Sequence, residues 1–226
     1  MKKAVLIGMG VMVCAFALCG CGKKTGLEGK VVDGKDMPMA GVKVIAKQSN
    51  SVKGDKQFES TTDSNGLFKF TKLSPLSAYR LVTYPDGATK NAAVDIESGP
   101  EGQATTLPEP IRIRFQFSKD GATALDTTTG LMWANNINIL GRHVSYAQAV
   151  EWVRTLDLGG YRDWRLPTKA ESLFKGNAEP DLQYLESAGF EISPTSRSID
   201  YWYSDAATEA GKPNAQMLVW PVRNAK

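Results

Sequence analysis

Apolar residues recur at every second position through much of the chain. Between residues 42 and 48, Val42, Val44 and Ala46 alternate with Lys43, Ile45 and Lys47, the period of a half-buried strand. The segments 27–33, 58–63, 67–70, 79–84 and 89–96 are similarly short, rich in β-branched or aromatic residues, and bounded by turn residues. Together they predict a small all-β sandwich of about six or seven strands. Asn65-Gly66 lies between two of them and predicts a tight hairpin, because both central positions of such a turn need positive φ. Residues 111–117, IRIRFQF, alternate strictly, with Ile111, Ile113, Phe115 and Phe117 on one face. They predict one continuous strand with Arg112 and Arg114 solvated. Turns at Asp120-Gly121 and at Asp126–Gly130 set off two further short strands.

The period then changes. Ser145 with Gln148 forms a capping box, and Ala149, Trp152, Val153 and Leu156 repeat at helical spacing, with Gly159 as the expected stop. Thr168 with Glu171 is a second capping box and predicts another helix, to Gly176. Asp181 is the expected cap of a third, ending at Ala188 before Gly189. Extended segments at Tyr201–Tyr203 and Met217–Val222 close the pattern. The sequence GGYRDWRLPT, 159–168, thus falls between two expected helices. Gly159 has a stopping role, Pro167 holds Leu166 extended, and Thr168 has a capping role. Arg162, Asp163 and Arg165 can either bind an anion or lock the loop internally. Asp163 offsets part of the charge, which favours the lock, with Trp164 as part of the same structural motif.

Composition divides the chain. All five tryptophans, at 133, 152, 164, 202 and 220, fall in the second half, whereas Lys, Thr, Val and Gly dominate the first. The Pro- and Gly-containing stretch 98–110 reads as a linker. Residues 26–97 are therefore expected to form the sandwich, and 111–226 a second, α+β domain. Basic and acidic residues nearly balance once Lys2 and Lys3 are set aside, which gives no reason to expect nucleic acid.

The start of the chain has its own logic. A basic Met1–Lys3 precedes an uncharged run from Ala4 to Leu18, too short for a comfortable membrane span and suited to a secretory leader. Leu18-Cys19-Gly20-Cys21 resembles the lipobox of bacterial lipoproteins. The resemblance implies a signal peptide over 1–20, lipidation of Cys21, and a tether over 21–25. It implies a location at the cell envelope, with the membrane as partner through acylated Cys21. Gly22 lacks the inner-membrane retention character of Asp, so the outer membrane is favoured in a Gram-negative host. The three cysteines, Cys14, Cys19 and Cys21, all lie here, so the processed chain would hold neither a disulfide nor a thiolate.

Two further resemblances cover most of the remainder. Gly29–Asp33, Pro38–Val42, Thr62–Phe68, Leu73 and Tyr79 resemble the carboxypeptidase regulatory-like domain, which implies a prealbumin-like β-sandwich and an accessory role. Asp126–Trp133, the helix carrying Ala147, Ala149 and Trp152, Leu158–Thr168, Glu171, Tyr201-Trp202 and Pro221–Arg223 resemble the C-terminal domain of the Legionella collagen-like adhesin. That resemblance implies a fold related to C-type lectins and formylglycine-generating enzymes, and recognition of a glycan. The loops 173–201 and 205–216 are short for such a domain.

Chemistry narrows the reading. His143 is the only histidine, and no metalloprotease, phosphate-loop or dinucleotide motif is present. The expectation is a non-enzyme without cofactor or metal. Glu179-Pro180-Asp181 has a faint likeness to a lectin calcium tripeptide, but three residues do not make a calcium site. Tyr201, Trp202, Tyr203, Asp205, Glu179 and Asp181 are the candidate ligand-binding residues, since an aromatic face can stack on a sugar ring. The expected function is non-catalytic recognition of a glycan or an envelope protein. The alternative is a structural envelope component that binds no glycan, and an enzyme comes third.

Overall fold

The computed structural model describes residues 23–49, 57–85, 92–174, 178–192, 200–205 and 215–225. Cys21 lies outside them. The fold is mostly β. The first half contains β1 (Thr25–Asp33), β2 (Lys43–Gln48), β3 (Gln57–Thr61), β4 (Leu67–Leu73), β5 (Ala78–Tyr84) and β6 (Ala93–Glu97), followed by β7 (Ala104–Thr106) and β8 (Ile111–Ile113). One sheet runs β3-β2-β5-β6; the other runs β4-β1-β7, with β8 also on β1. Their inward residues, including Leu27, Val31, Val44, Phe68, Phe70, Tyr79 and Leu81, form one buried core.

Two expectations for this half change. Asn65-Gly66 does not close a hairpin: β3 pairs with β2 and β4 with β1, so the turn carries the chain from one sheet to the other. Only Gly66 takes positive φ there, at 73°. The turn is held by Asp63, whose Oδ1 accepts from the Asn65 and Leu67 amides at 2.8 and 2.9 Å, an Asx-type arrangement. The stretch 98–110 is also more than a linker. β7 pairs in parallel with β1 at 26–28 and β8 at 31–33, and Leu107 enters the first core.

The expected single strand 111–117 therefore divides at Arg114. Ile111 and Ile113 bury in the first core, whereas β9 (Phe115–Phe117) pairs with β10 (Thr123–Asp126) and buries its phenylalanines in another. Alternation predicts which face is apolar but not which sheet receives it. The crossing is clasped. The Thr127 hydroxyl donates toward the carbonyls of Ile113 and Arg114 at 3.2 and 2.8 Å, and accepts from the Gly34 amide at 2.8 Å. Arg114 is not simply solvated either. It meets both carboxylate oxygens of fully buried Asp126 at 3.2 and 2.9 Å, and the hydrogen bonds to that carboxylate raise its pKa.

The second half is organised around a sheet of order β12-β11-β10-β9, where β11 is Leu131–Ala134 and β12 is Val222–Asn224. The first expected helix, α1 (Tyr146–Thr155), has its Ser145–Gln148 capping box in place. It ends earlier than expected, with Leu156 already extended. Gly159 and Gly160, at φ 60° and 77°, instead form a tight two-residue turn between Leu158 and Tyr161. The Thr168–Glu171 capping box also forms, but it opens only one 3-10 turn, Lys169–Glu171. The chain leaves it at Ser172 so that Leu173 can bury and Phe174 can stack on Tyr201 at 5.4 Å. The last helix, α2, spans Ala178–Ala188, so Asp181 lies within it and not at its cap. Pro180 fits this earlier start, because first-turn amides have no intrahelical acceptor to lose.

Two cores divide this half. Phe115, Phe117, Trp133, Leu185, Phe190, Tyr201 and Trp220 belong to one. Val144, Ala149, Val153, Leu166, Trp202 and Val219 belong to the other. Residues 201–203 and 218–220 run between them, sending alternate side chains each way.

Candidate functional site

That placement decides the fate of the aromatic triplet. Tyr201 and Trp202 are both buried. The Trp202 indole donates to the Val144 carbonyl at 2.6 Å and packs edge-on to Tyr146. Tyr203 packs beside the first of the two cores, and its hydroxyl pairs with that of Ser172 at 3.1 Å. An extended segment normally has one face for the core and one for solvent, but here a core lies on each side, so the expected sugar-stacking face is absent. Burial drives the Tyr201 phenol pKa upward, and its hydroxyl finds no partner among the described residues. Asp205 is exposed, but its Oδ1 accepts from the Lys169 amide at 2.9 Å, which makes it a cap for the turn after Thr168. Glu179 and Asp181 lie on α2, away from the triplet in sequence. The side chain of Glu179 is outside the described residues. No group of three or more His, Cys, Asp or Glu able to hold a metal occurs among the described residues.

The GGYRDWRLPT loop is locked, but not by its own charges meeting one another. Arg162 Nε donates to Asp157 at 2.8 Å. Asp163 accepts two bonds from Arg223, at 2.6 and 3.1 Å. Arg165 makes a two-pronged contact to Glu171, each prong 2.7 Å. Adjacent side chains diverge from the backbone, so such forked pairing takes a partner from another turn or strand. The Arg165 guanidinium, opposed by the cost of partial burial and helped by the Thr168 amide, holds the Glu171 carboxyl down at about 2. Trp164 is buried, with its indole donating to the Leu158 and Tyr161 carbonyls at 3.2 and 3.1 Å, which fixes the Gly159-Gly160 turn. Pro167 is buried as well, and Thr168 caps.

Tyr161 is thereby delivered over the outer face of the second sheet. Register places Gln116, Leu125, Met132 and Arg223 in one row across β9, β10, β11 and β12. Their neighbours Phe117, Ala124, Trp133 and Val222 form the opposite, core-facing row. Leu125 and Met132 floor a depression of about 570 Å³ that is rimmed by Tyr161, Arg162, Asp163 and Arg223. The Arg223 guanidinium lies 3.8 Å from the Tyr161 ring centroid and, with its side chain only 4% exposed, is fully engaged. Tyr161 is 38% exposed. The Arg162 side chain is 83% exposed, and its ion pair with Asp157 is of the weak surface kind. The depression thus offers an apolar floor, an aromatic edge and an accessible guanidinium. It suits binding by stacking and hydrogen bonding. Sequence reasoning missed it, although one signal was present: Leu125 and Met132 are apolar on the outward phase of their strands, where polar residues are the rule.

Residues 122–223 match the Lcl C-terminal domain family. The Lcl-matching segment is under half of the chain, and it contains β10, β11 and most of β12, the locked loop and most of the depression, while β9 lies before it. No curated protein matches the chain in sequence. Among solved structures, (S)-allantoin synthase aligns with 11% identity and a TM-score of 0.32, covering 40% of this chain and 41% of its own. Sea bream transthyretin aligns with 23% identity and a TM-score of 0.27, covering 38% and 87%. A Pseudomonas aeruginosa protein described as a candidate carbohydrate binder aligns with 16% identity and a TM-score of 0.27, covering 40% and 89%.

Proposed function

We propose that this chain is a lipid-anchored envelope protein whose second half recognises a glycan or a protein ligand without catalysis. In this reading Cys21 is acylated, and the outer membrane is the destination in a Gram-negative host. The first half is a carboxypeptidase regulatory-like spacer, and the second a C-type-lectin-like α+β unit. The match to the Lcl C-terminal domain supports a binding role. The observation that carries the reading is the depression beside Tyr161, where an exposed aromatic edge and the accessible guanidinium of Arg162 overlook Leu125 and Met132. Aromatic and arginine side chains around an apolar floor favour recognition of a ring-shaped, polar-edged ligand.

The test is a glycan array together with capture of envelope proteins, run on the processed chain and on the Tyr161→Ala, Arg162→Ala double variant. Binding that is lost in the double variant with an unchanged melting curve supports the site. Binding that survives it moves recognition elsewhere. Stable capture of envelope proteins with no glycan bound rejects the glycan and favours the structural alternative.

A further inference from the structure

β1 gives the first half two distinct ends. Its last residue, Asp33, leads into Gly34, which meets Thr127 and Thr128 of the second half. Its first residue, Thr25, pairs with Leu73 at the opposite end. Nine residues of strand hold these ends roughly 27 Å apart.

Two loops gather at the Thr25 end. Leu76, between β4 and β5, donates its amide to the Gly99 carbonyl at 3.1 Å. Gly102, between β6 and β7, donates to the Lys24 carbonyl at 3.2 Å. The Lys23 amide bonds the Glu101 carboxylate, and the Thr25 hydroxyl bonds the Gln103 carbonyl. The loop tips and the first described residues of the chain therefore form one surface.

Leu76 is exceptional on that surface. It is 68% exposed, the most exposed of the large hydrophobic side chains among the described residues. Its φ is +44°, a left-handed conformation in which a bulky L-residue is strained and glycine or asparagine is favoured. A side chain this exposed adds little to the core, so packing does not account for a leucine there. Exposed Lys23, Lys24 and Lys72 share this end with exposed Glu97 and Glu101, leaving a small basic excess nearest the start of β1.

Chain length supplies the partner. Only Gly22, Lys23 and Lys24 separate Cys21 from Thr25. At no more than about 3.6 Å per residue, an acylated Cys21 holds Thr25 within roughly 14 Å of the lipid. We infer that the Thr25 end seats on the bilayer surface, with Leu76 in the boundary between headgroups and acyl chains and Lys23 and Lys24 against anionic headgroups. This rests on the lipid anchor of the proposed function. A second contact adds to the acyl chains in fixing the orientation, and the second half then projects from the far end of β1, away from the membrane.

The experiment uses the acylated protein in vesicles of phosphatidylethanolamine and phosphatidylglycerol. A polarity-sensitive fluorophore is attached through Leu76→Cys. The comparison site is Met37→Cys, since Met37 is 60% exposed in the loop at the other end of β1. Acylation blocks the Cys21 sulfur, so each label is unique. The Leu76→Cys label should shift to the blue and be quenched by lipid-borne quenchers, while the Met37→Cys label stays aqueous. Amide exchange at 74–77 in the unsubstituted acylated chain on vesicles should be several-fold slower than in the Cys21→Ser chain in solution, which reads the same contact without altering Leu76. If mass spectrometry finds no acyl chains on the protein, the anchor reading falls and the seating falls with it. If the chain is acylated and vesicle-bound, yet both labels report water and exchange at 74–77 is unchanged, the seating alone is overturned.

Discussion

Two aromatic-rich stretches of the second half exchange the roles that their composition suggests. Residues 201–203 read as a binding face, yet Tyr201 and Trp202 are sealed between two cores. Residues 159–168 read as scaffolding, and they do lock a loop, but the locked loop also carries Tyr161 and Arg162 to the rim of the open sheet face. Aromatic density alone does not separate core from surface. What separates them here is the number of hydrophobic layers that flank the strand. The sharpest challenge to this contrast is Trp202→Ala. It removes a fully buried indole and one of the two hydrogen bonds that the Val144 carbonyl accepts, the other coming from the Met217 amide, so the expected loss of stability is about 3–5 kcal/mol. Denaturant unfolding measures it. A variant that melts like the parent would return the triplet to the surface.

The next largest effect tests the lock. Asp163→Ala strips the carboxylate from a guanidinium that cannot reach water, because the Arg223 side chain is 4% exposed whereas that of Asp163 is 52% exposed. The expected cost is about 2–3 kcal/mol, below that of a pair buried on both sides. Adding Arg223→Met should recover most of it, since an apolar residue beside Met132 and Tyr161 needs no counter-charge. A double variant no better than the single would show that Arg223 contributes mainly through packing.

The lock also has a pH signature. Glu171 titrates at about 2 in the fold against an ordinary 4.5. A depressed carboxylate stabilises the folded state fully above its ordinary value, and that stabilisation disappears as pH falls toward the folded value. Stability should therefore decline between about pH 5 and pH 2, by about 1–2 kcal/mol after allowance for solvent screening. In Glu171→Gln this component should vanish from the pH profile while the Thr168 hydroxyl still caps its turn. An identical profile in the variant would assign the acid sensitivity to another carboxylate.

Much of the fold was legible along the chain, and the exceptions share a cause. The strands of the first half follow period two because each has one wet face and one dry one. The Ser145 and Thr168 capping boxes both form, since their hydrogen bonds are local. The turn at Thr168 stays short because Leu173 and Phe174 are claimed by a core built from residues far along the chain. Residues 111–117 show their buried face plainly but not that it serves two cores. The same limit hid the site: the floor comes from β10 and β11, the rim from a loop some thirty residues later and from β12, and only sheet register brings them together.

The smallest expected effect is the most informative about function. Arg162 is largely in solvent, and its ion partner among the described residues, Asp157, is itself half exposed. Surface pairs of this kind contribute about 0–1 kcal/mol. Arg162→Ala should leave thermal and denaturant unfolding nearly unchanged, because Trp164 and Asp163 hold the loop without it. If the depression recognises ligand, the same substitution should weaken binding clearly, with Arg162→Lys recovering only part of it, since an ammonium keeps the charge but not the planar fork. A fall in stability as large as that of Asp163→Ala would place Arg162 within the lock, and the difference between the two aromatic stretches would then be one of degree.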